Sequence, residues 1–256
     1  MSAVGPARQR SRGPFAELLK IEGKLALREP YGFFGGVAFP AVLLAVFGFI
    51  SGKVPGNVGD SGRTVLDLYI PTIMVIAFIS IAVSLPNTLV RDREIGWLRW
   101  VSTTPVHPWR LLAVQLVLDL VFAVLAIAIV LVGSVTIFGA HLDIGIPYFA
   151  LAILLSIVEI FSLGLLVAAL APSQTAASAA AGVLFFVLLL VSGLWVQPAQ
   201  ISGPLQAIMY YSPTGAAARA LLDAVFNQGP PLETVLTMVG YAAVFTAAAI
   251  RFFQWE

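Results

Sequence analysis

Apolar runs close to 20 residues long recur along the chain, separated by short polar punctuation. At 1.5 Å per residue, a helix of about 20 residues covers roughly 30 Å, the thickness of a bilayer's hydrocarbon core. The pattern therefore predicts six membrane-spanning helices, at about 31–51, 67–90, 111–138, 146–170, 176–196 and 232–250. The second span contains Pro71 and Pro86. Neighbouring helices make such prolines tolerable by satisfying the carbonyls they free. Ahead of the first span, residues 14–29 read as an amphipathic helix. Phe15, Leu18, Leu19, Ile21 and Leu25 share one face, and Glu17, Lys20, Lys24 and Arg28 lie opposite. A helix of this kind lies in the membrane interface rather than crossing it. Glu22 falls inside the apolar stripe, which points to protein contact along one side. Residues 1–13 are small, polar and basic and are predicted to be disordered.

Residues 197–231 depart from the spanning pattern. Two moderately apolar segments, near 199–211 and 214–227, are divided by Ser212-Pro213. Each is too short to span, so the segment is predicted to be a re-entrant helical hairpin before the last span. The expected fold class is an all-α membrane protein of six transmembrane helices, with residues 31–256 as one transmembrane domain. No internal repeat is evident.

Composition agrees: 59% of the 256 residues are hydrophobic and 11% charged, with mean hydropathy +0.96. A soluble domain averages about 25% charged residues. The placement of charge predicts orientation. Six Lys and Arg lie in residues 1–30, four in 91–110, and Arg251 follows the last span, which together make eleven of the 14. Lys53, Arg63 and Arg219 fall in the opposite set of segments. Lys and Arg concentrate in cytoplasmic loops, so both termini are expected in the cytoplasm.

Several chemistries are excluded. With no cysteine there is no disulfide or thiolate-held metal, and the two histidines, His107 and His141, lie in different loops. The phosphate-cradling loop GxxxxGKS/T is absent, as are the HExxH zinc pair and the GxSxG nucleophile elbow. No catalytic residue, cofactor site or metal site is expected, and any ATP-driven work requires another polypeptide. The basic N-terminus serves the inside-positive bias, and nucleic acid is not an expected partner.

The segment RDREIGWLRWVSTTPVHPWR, residues 91–110, is the most charged interior stretch. It reads either as an interfacial loop with Trp97, Trp100 and Trp109 at headgroup depth, or as a docking helix at about 92–101 for a cytoplasmic partner. Arg93-Glu94, Gly96-Trp97-Leu98 and Thr104-Pro105-Val106 follow the pattern of the loop between the second and third spans of ABC-2 type transporter permeases, which this stretch resembles. Arg99 stands where that family often has an acid. A second likeness covers Gly193-Leu194, Pro198, Pro204, Ser212-Pro213, Arg219-Ala220-Leu221 and Gly229. Among family branches, the chain looks most like daunorubicin-resistance-type drug efflux permeases of bacteria.

The resemblance implies a bacterial inner-membrane exporter in which two permease subunits, identical or different, form the pathway. Two separate ATP-binding subunits would dock beneath, and ATP and Mg would bind there rather than to this chain. Arg91, Asp92, Arg93, Glu94, Gly96, Trp97, Leu98 and Arg99, with Glu22 of the N-terminal helix, are then the expected coupling residues. The implied cargo is an amphipathic drug or antibiotic. Alternatives are export of a lipid or glycan, a proton-coupled secondary transporter acting through Glu159, and an intramembrane enzyme.

Polar groups within the spans are expensive in hydrocarbon and should face protein or water. Glu159, Asp119 and Trp195 are candidates for the substrate path. For Asp119 a helix-locking role fits better, because it lies nearer the cytoplasmic end; for Glu159 the two readings stand level. In the hairpin, Pro213 divides the two segments, and Arg219 and Asp223 are expected to pair at i,i+4.

Overall fold

The computed structural model of the protein describes residues 23, 34–53, 63–94 and 109–252. Most of the predicted interfacial helix, Glu22 included, lies outside the described residues, as do residues 1–13 and 95–108, the latter carrying Gly96, Trp97, Leu98 and Arg99. Every regular element among the described residues is helical. A π-turn, Phe34–Ala38, leads into α1 (Phe39–Lys53). There follow α2 (Val65–Ala82), α3 (Ser84–Glu94), α4 (Trp109–Phe138), α5 (Ile146–Leu170) and α6 (Gln174–Val191). Then come α7 (Pro204–Tyr211), α8 (Pro213–Val225) and α9 (Leu232–Phe252).

Six segments are long and apolar enough to cross a membrane: Gly35–Gly52, Val65–Glu94, Ala113–Phe138, Ile146–Leu170, Gln174–Val191 and Leu232–Phe252. Only the fourth span keeps both of its expected bounds, and two of the shifts have a visible cause or consequence. The second span begins at Val65 because Thr64 and Asp67 form a reciprocal capping box, each side chain bonding the other's backbone N–H. The fifth span ends at Val191, so Trp195 lies beyond it rather than on it.

The second span organises the bundle. Of the 18 residues of α2, 14 are buried, and no lipid-facing stripe remains. It is enclosed by protein: α1, α4, α5, α6 and α8 all pack against α2. Ile70, Ile73, Met74, Phe78 and Ile79 form the heart of the core. The outer helices are one-sided. In α9, Thr234, Met238, Ala242 and Ala249 face inward, while Leu236, Val239 and Val244 are exposed.

This central span is not one unbroken helix. It is interrupted at Val83, where α2 ends and α3 begins. Pro86 has no N–H to give to the carbonyl of Ala82, four residues earlier, and this is a recognised cause of helix breaks. Side chains satisfy several carbonyls nearby: the Ser84 hydroxyl donates to Ile81 at 2.7 Å, and the Asn87 amide donates to Val83 at 3.3 Å. The Ala82 carbonyl instead faces Gly164 of α5, so closely that a Cβ there would lie 2.5 Å from its oxygen. Only a residue without a side chain lets the two backbones meet.

Helices α7 and α8, of 8 and 13 residues, reach about 12 and 20 Å, too short to cross. Ser212 joins them tightly. Its hydroxyl donates to Met209 at 2.9 Å and accepts from the Gly215 N–H at 3.1 Å, while Pro213 occupies the first turn of α8. A side chain at Gly215 would overlap the Met209 carbonyl. The inward face of α8 is small, with Ala216, Ala217, Ala220 and Ala224 all buried, which lets it sit closely against α2, α5 and α9.

Gly164→Val should lower stability by about 1–3 kcal/mol through overpacking. Gly182→Ala, where a Cβ would meet nothing within 4 Å, should be neutral to stabilising, by up to about 1 kcal/mol through helix propensity. Thermal midpoints of the purified variants in detergent check this, and equal midpoints would refute the close approach.

Candidate functional site

The charged end of α3 folds back onto the turn between α5 and α6. Arg91 and Asp92 lie 3.6 Å apart at its surface. The Arg93 guanidinium donates to the carbonyl of Ala171, the residue that caps α5. The Glu94 carboxylate accepts from the N–H of Gln174 at 2.8 Å, the first residue of α6. Ser173 caps the same helix by accepting from Ala176 at 3.2 Å. One turn further back along α3, Val90 packs with Ala171 and Ala177 in a small apolar cluster. Asn87 then accepts a 2.6 Å bond from the Ser178 hydroxyl. Arg93 and Glu94 therefore join two parts of this chain. The predicted docking helix at 92–101 is, as far as Glu94, the end of an 11-residue helix that begins at Ser84.

The two acids within the spans sit apart from this clamp and from each other. Asp119 lies on the buried stripe of α4 and accepts from the Gln115 amide at 3.3 Å. That bond is the i,i+4 contact expected on one helix face. Glu159 of α5 is fully buried, and neither carboxylate oxygen has a hydrogen-bond partner among the described residues. The flanking serines do not serve it: Ser156 donates to the Ala152 carbonyl at 2.7 Å and Ser162 to the Glu159 carbonyl at 2.7 Å. Both follow the local habit of serine hydroxyls in helices.

At the other end of the bundle, Arg219 does not form its ion pair with Asp223. It pairs with Glu233 at the start of α9, at 2.9 Å, and Tyr211 donates to the second Glu233 oxygen at 3.3 Å. The expectation considered only one helix, whereas the hairpin brings α9 within reach. The Arg219 guanidinium also lies 5.0 Å from the centre of the Tyr210 ring. Partial burial raises the Asp223 carboxyl above its usual range, and the charge of Arg219 opposes that rise. Trp195 is 67% exposed, outside the packed interior. Phe185 turns inward against Phe39, with ring centroids 6.1 Å apart.

Sequence reasoning missed four groups that the fold uses. Asp67 is buried and accepts from the backbone N–H groups of Thr64, at 2.8 Å, and His141, at 3.3 Å. Its signal was legible as a Thr-x-x-Asp pattern ahead of an apolar run. Ser178, Gly164 and Glu233 carried no local signal, because their partners lie 91, 82 and 14 residues away in the chain.

Replacing Glu159 with Met, which fills similar space without unpaired oxygens, should preserve membrane insertion. It should also raise stability by about 1–3 kcal/mol. A rise in thermal midpoint with transport retained is expected; transport lost at an undiminished midpoint would give the carboxyl a functional role. For the partly exposed Arg219–Glu233 pair, a double-mutant cycle should give a coupling below about 1 kcal/mol.

No curated relative matches the chain. The family model described as ABC-2 type transporter matches residues 14–226, well over half of the 256 residues. That match takes in the first five spans, the clamp and the α7–α8 hairpin. The chain belongs to the ABC-2 type transporter family, as the multi-pass membrane permease subunit of an ABC transporter.

Proposed function

We propose that this permease exports amphipathic drugs or antibiotics, driven by ATP hydrolysed on a separate subunit docked at the 91–110 loop. The observation that carries the reading is the construction of that loop's stem. Four charged residues end α3, which follows the central helix α2 after the single residue Val83, and that end is fastened to a second pair of spans through Arg93 and Glu94. A docked motor needs such a stiff attachment. The family match supports the partnership, and this chain's lack of a phosphate-binding loop is in keeping with ATP and Mg binding on the partner.

In the full assembly, two ATP-binding subunits serve two permeases, this chain pairing with a second copy or a related chain. Gly96, Trp97, Leu98 and Arg99 form the docking surface, with Glu22 of the interfacial helix beside it. The clamp end, both termini and the Arg-rich loops face the cytoplasm of a bacterial inner membrane, because eleven of 14 Lys and Arg then lie inside. The α7–α8 hairpin then enters from the outer face without crossing. Asp119 and Glu159 are enclosed within a single subunit, which favours a pathway along the face shared with the second permease.

Co-expression with the ATP-binding subunit and reconstitution in liposomes test the reading. We expect the two chains to co-purify and ATP hydrolysis to respond to amphipathic drugs. Replacing Gly96 with Val should abolish that response while membrane insertion stays normal. Uptake driven by a proton gradient alone, with no ATP-binding subunit retained, would refute the proposal.

A further inference from the structure

The turn between α5 and α6 comprises Ala171, Pro172 and Ser173, and α3 holds both of its sides. The last carbonyls of a helix lack intrahelical donors and carry the negative end of its dipole; the first N–H groups carry the positive end. Arg93 meets the C-terminal end of α5 and Glu94 the N-terminal end of α6. Two neighbouring residues of opposite charge thus each meet the helix end that complements them. The Val90 cluster and the Asn87–Ser178 bond extend this seam back along α3. Residues 87 to 94 cover about 10 Å of helix, so the seam fixes direction as well as position.

Immediately beyond the seam, the central span is interrupted at Val83 and lacks a backbone donor at Pro86. A small apolar crevice surrounds this joint, lined by Ile79, Ala82, Val83, Pro86, Gly164 and Leu184 among others.

We infer that the ends of α3, α5 and α6 at this seam form one rigid block, with Arg93 and Glu94 as its positioning residues. Force applied to the 95–108 loop then reaches the fourth and fifth spans directly through the clamp. The spans covalently joined to that loop are not its only route. The inference rests on the assignment of that loop as the docking element for the ATP-binding subunit.

The chain contains no cysteine, so Asn87→Cys with Ser178→Cys creates a single thiol pair across the seam. In liposomes with the ATP-binding subunit, a short bis-methanethiosulfonate reagent should bridge the pair equally fast without nucleotide and with ATP trapped by vanadate. The bridged complex should retain its ATP hydrolysis and its response to amphipathic drugs. Adding Glu94→Ala should make bridging nucleotide-dependent, and Glu94→Gln, which keeps an acceptor oxygen for the Gln174 N–H, should restore independence. Failure to bridge in the resting state, slower bridging with nucleotide, or loss of hydrolysis on bridging would each overturn the rigid block. A chain that retains no ATP-binding subunit fails earlier, at co-purification, and removes the parent reading as well. An assembled, active complex that bridging stops removes only this one.

Discussion

The architecture depends on one constraint: a span with no lipid-facing side must be enclosed completely by its neighbours. In α2 the buried residues run round the whole helix, and five other helices enclose it. Hydrocarbon offers no solvent to repair unpaired backbone groups, so the same enclosure must also manage its prolines. Around Pro86 the Ser84 and Asn87 side chains bond the Ile81 and Val83 carbonyls, and Gly164 lets α5 approach the Ala82 carbonyl closely. The central helix is thus both the most buried part of the molecule and the one with a built-in interruption.

The two ends of the bundle are finished differently. At one end α3 grips the α5–α6 turn with a charge for each helix terminus, and the apolar Val90 contact shields the seam. At the other, α8 of the short α7–α8 hairpin packs closely against its neighbours because its buried face is mostly small, with Gly215 and four alanines. Asp67 ties the start of α2 to the α4–α5 connection through His141, and the Gly145 N–H donates to the Ala224 carbonyl at the end of α8 at 3.1 Å. Both ends rely on side chains meeting backbone groups at helix termini, where unpaired donors and acceptors concentrate.

Particular residues show which features can be read in advance. Six spans were legible because each must be long and apolar on its own account, whatever surrounds it. The hairpin was legible from Ser212-Pro213 and from segments too short to cross. The partner of Arg219 was not, since i,i+4 reasoning sees only one helix and Glu233 stands on the next. Trp195 looked like part of a span because hydropathy continues past Val191, where the helical hydrogen bonding stops. Glu159 was visible as an anomaly, yet its serine neighbours proved to bond the backbone instead of the carboxyl.

The order of apolar segments by itself determined the all-helical membrane class, the number of spans and the place of the charged 91–110 stretch. These follow from composition within about 20 residues at a time, which any hydrocarbon environment enforces locally. Only the tertiary structure decided that the second span is the enclosed one, that Ala82 meets Gly164, and that Arg93 and Glu94 close on the α5–α6 turn. Those contacts join residues some 80 positions apart, and their geometry exists only once the helices have packed. The charged stem that stood out as a loop signal is, in the folded chain, one side of an internal clamp.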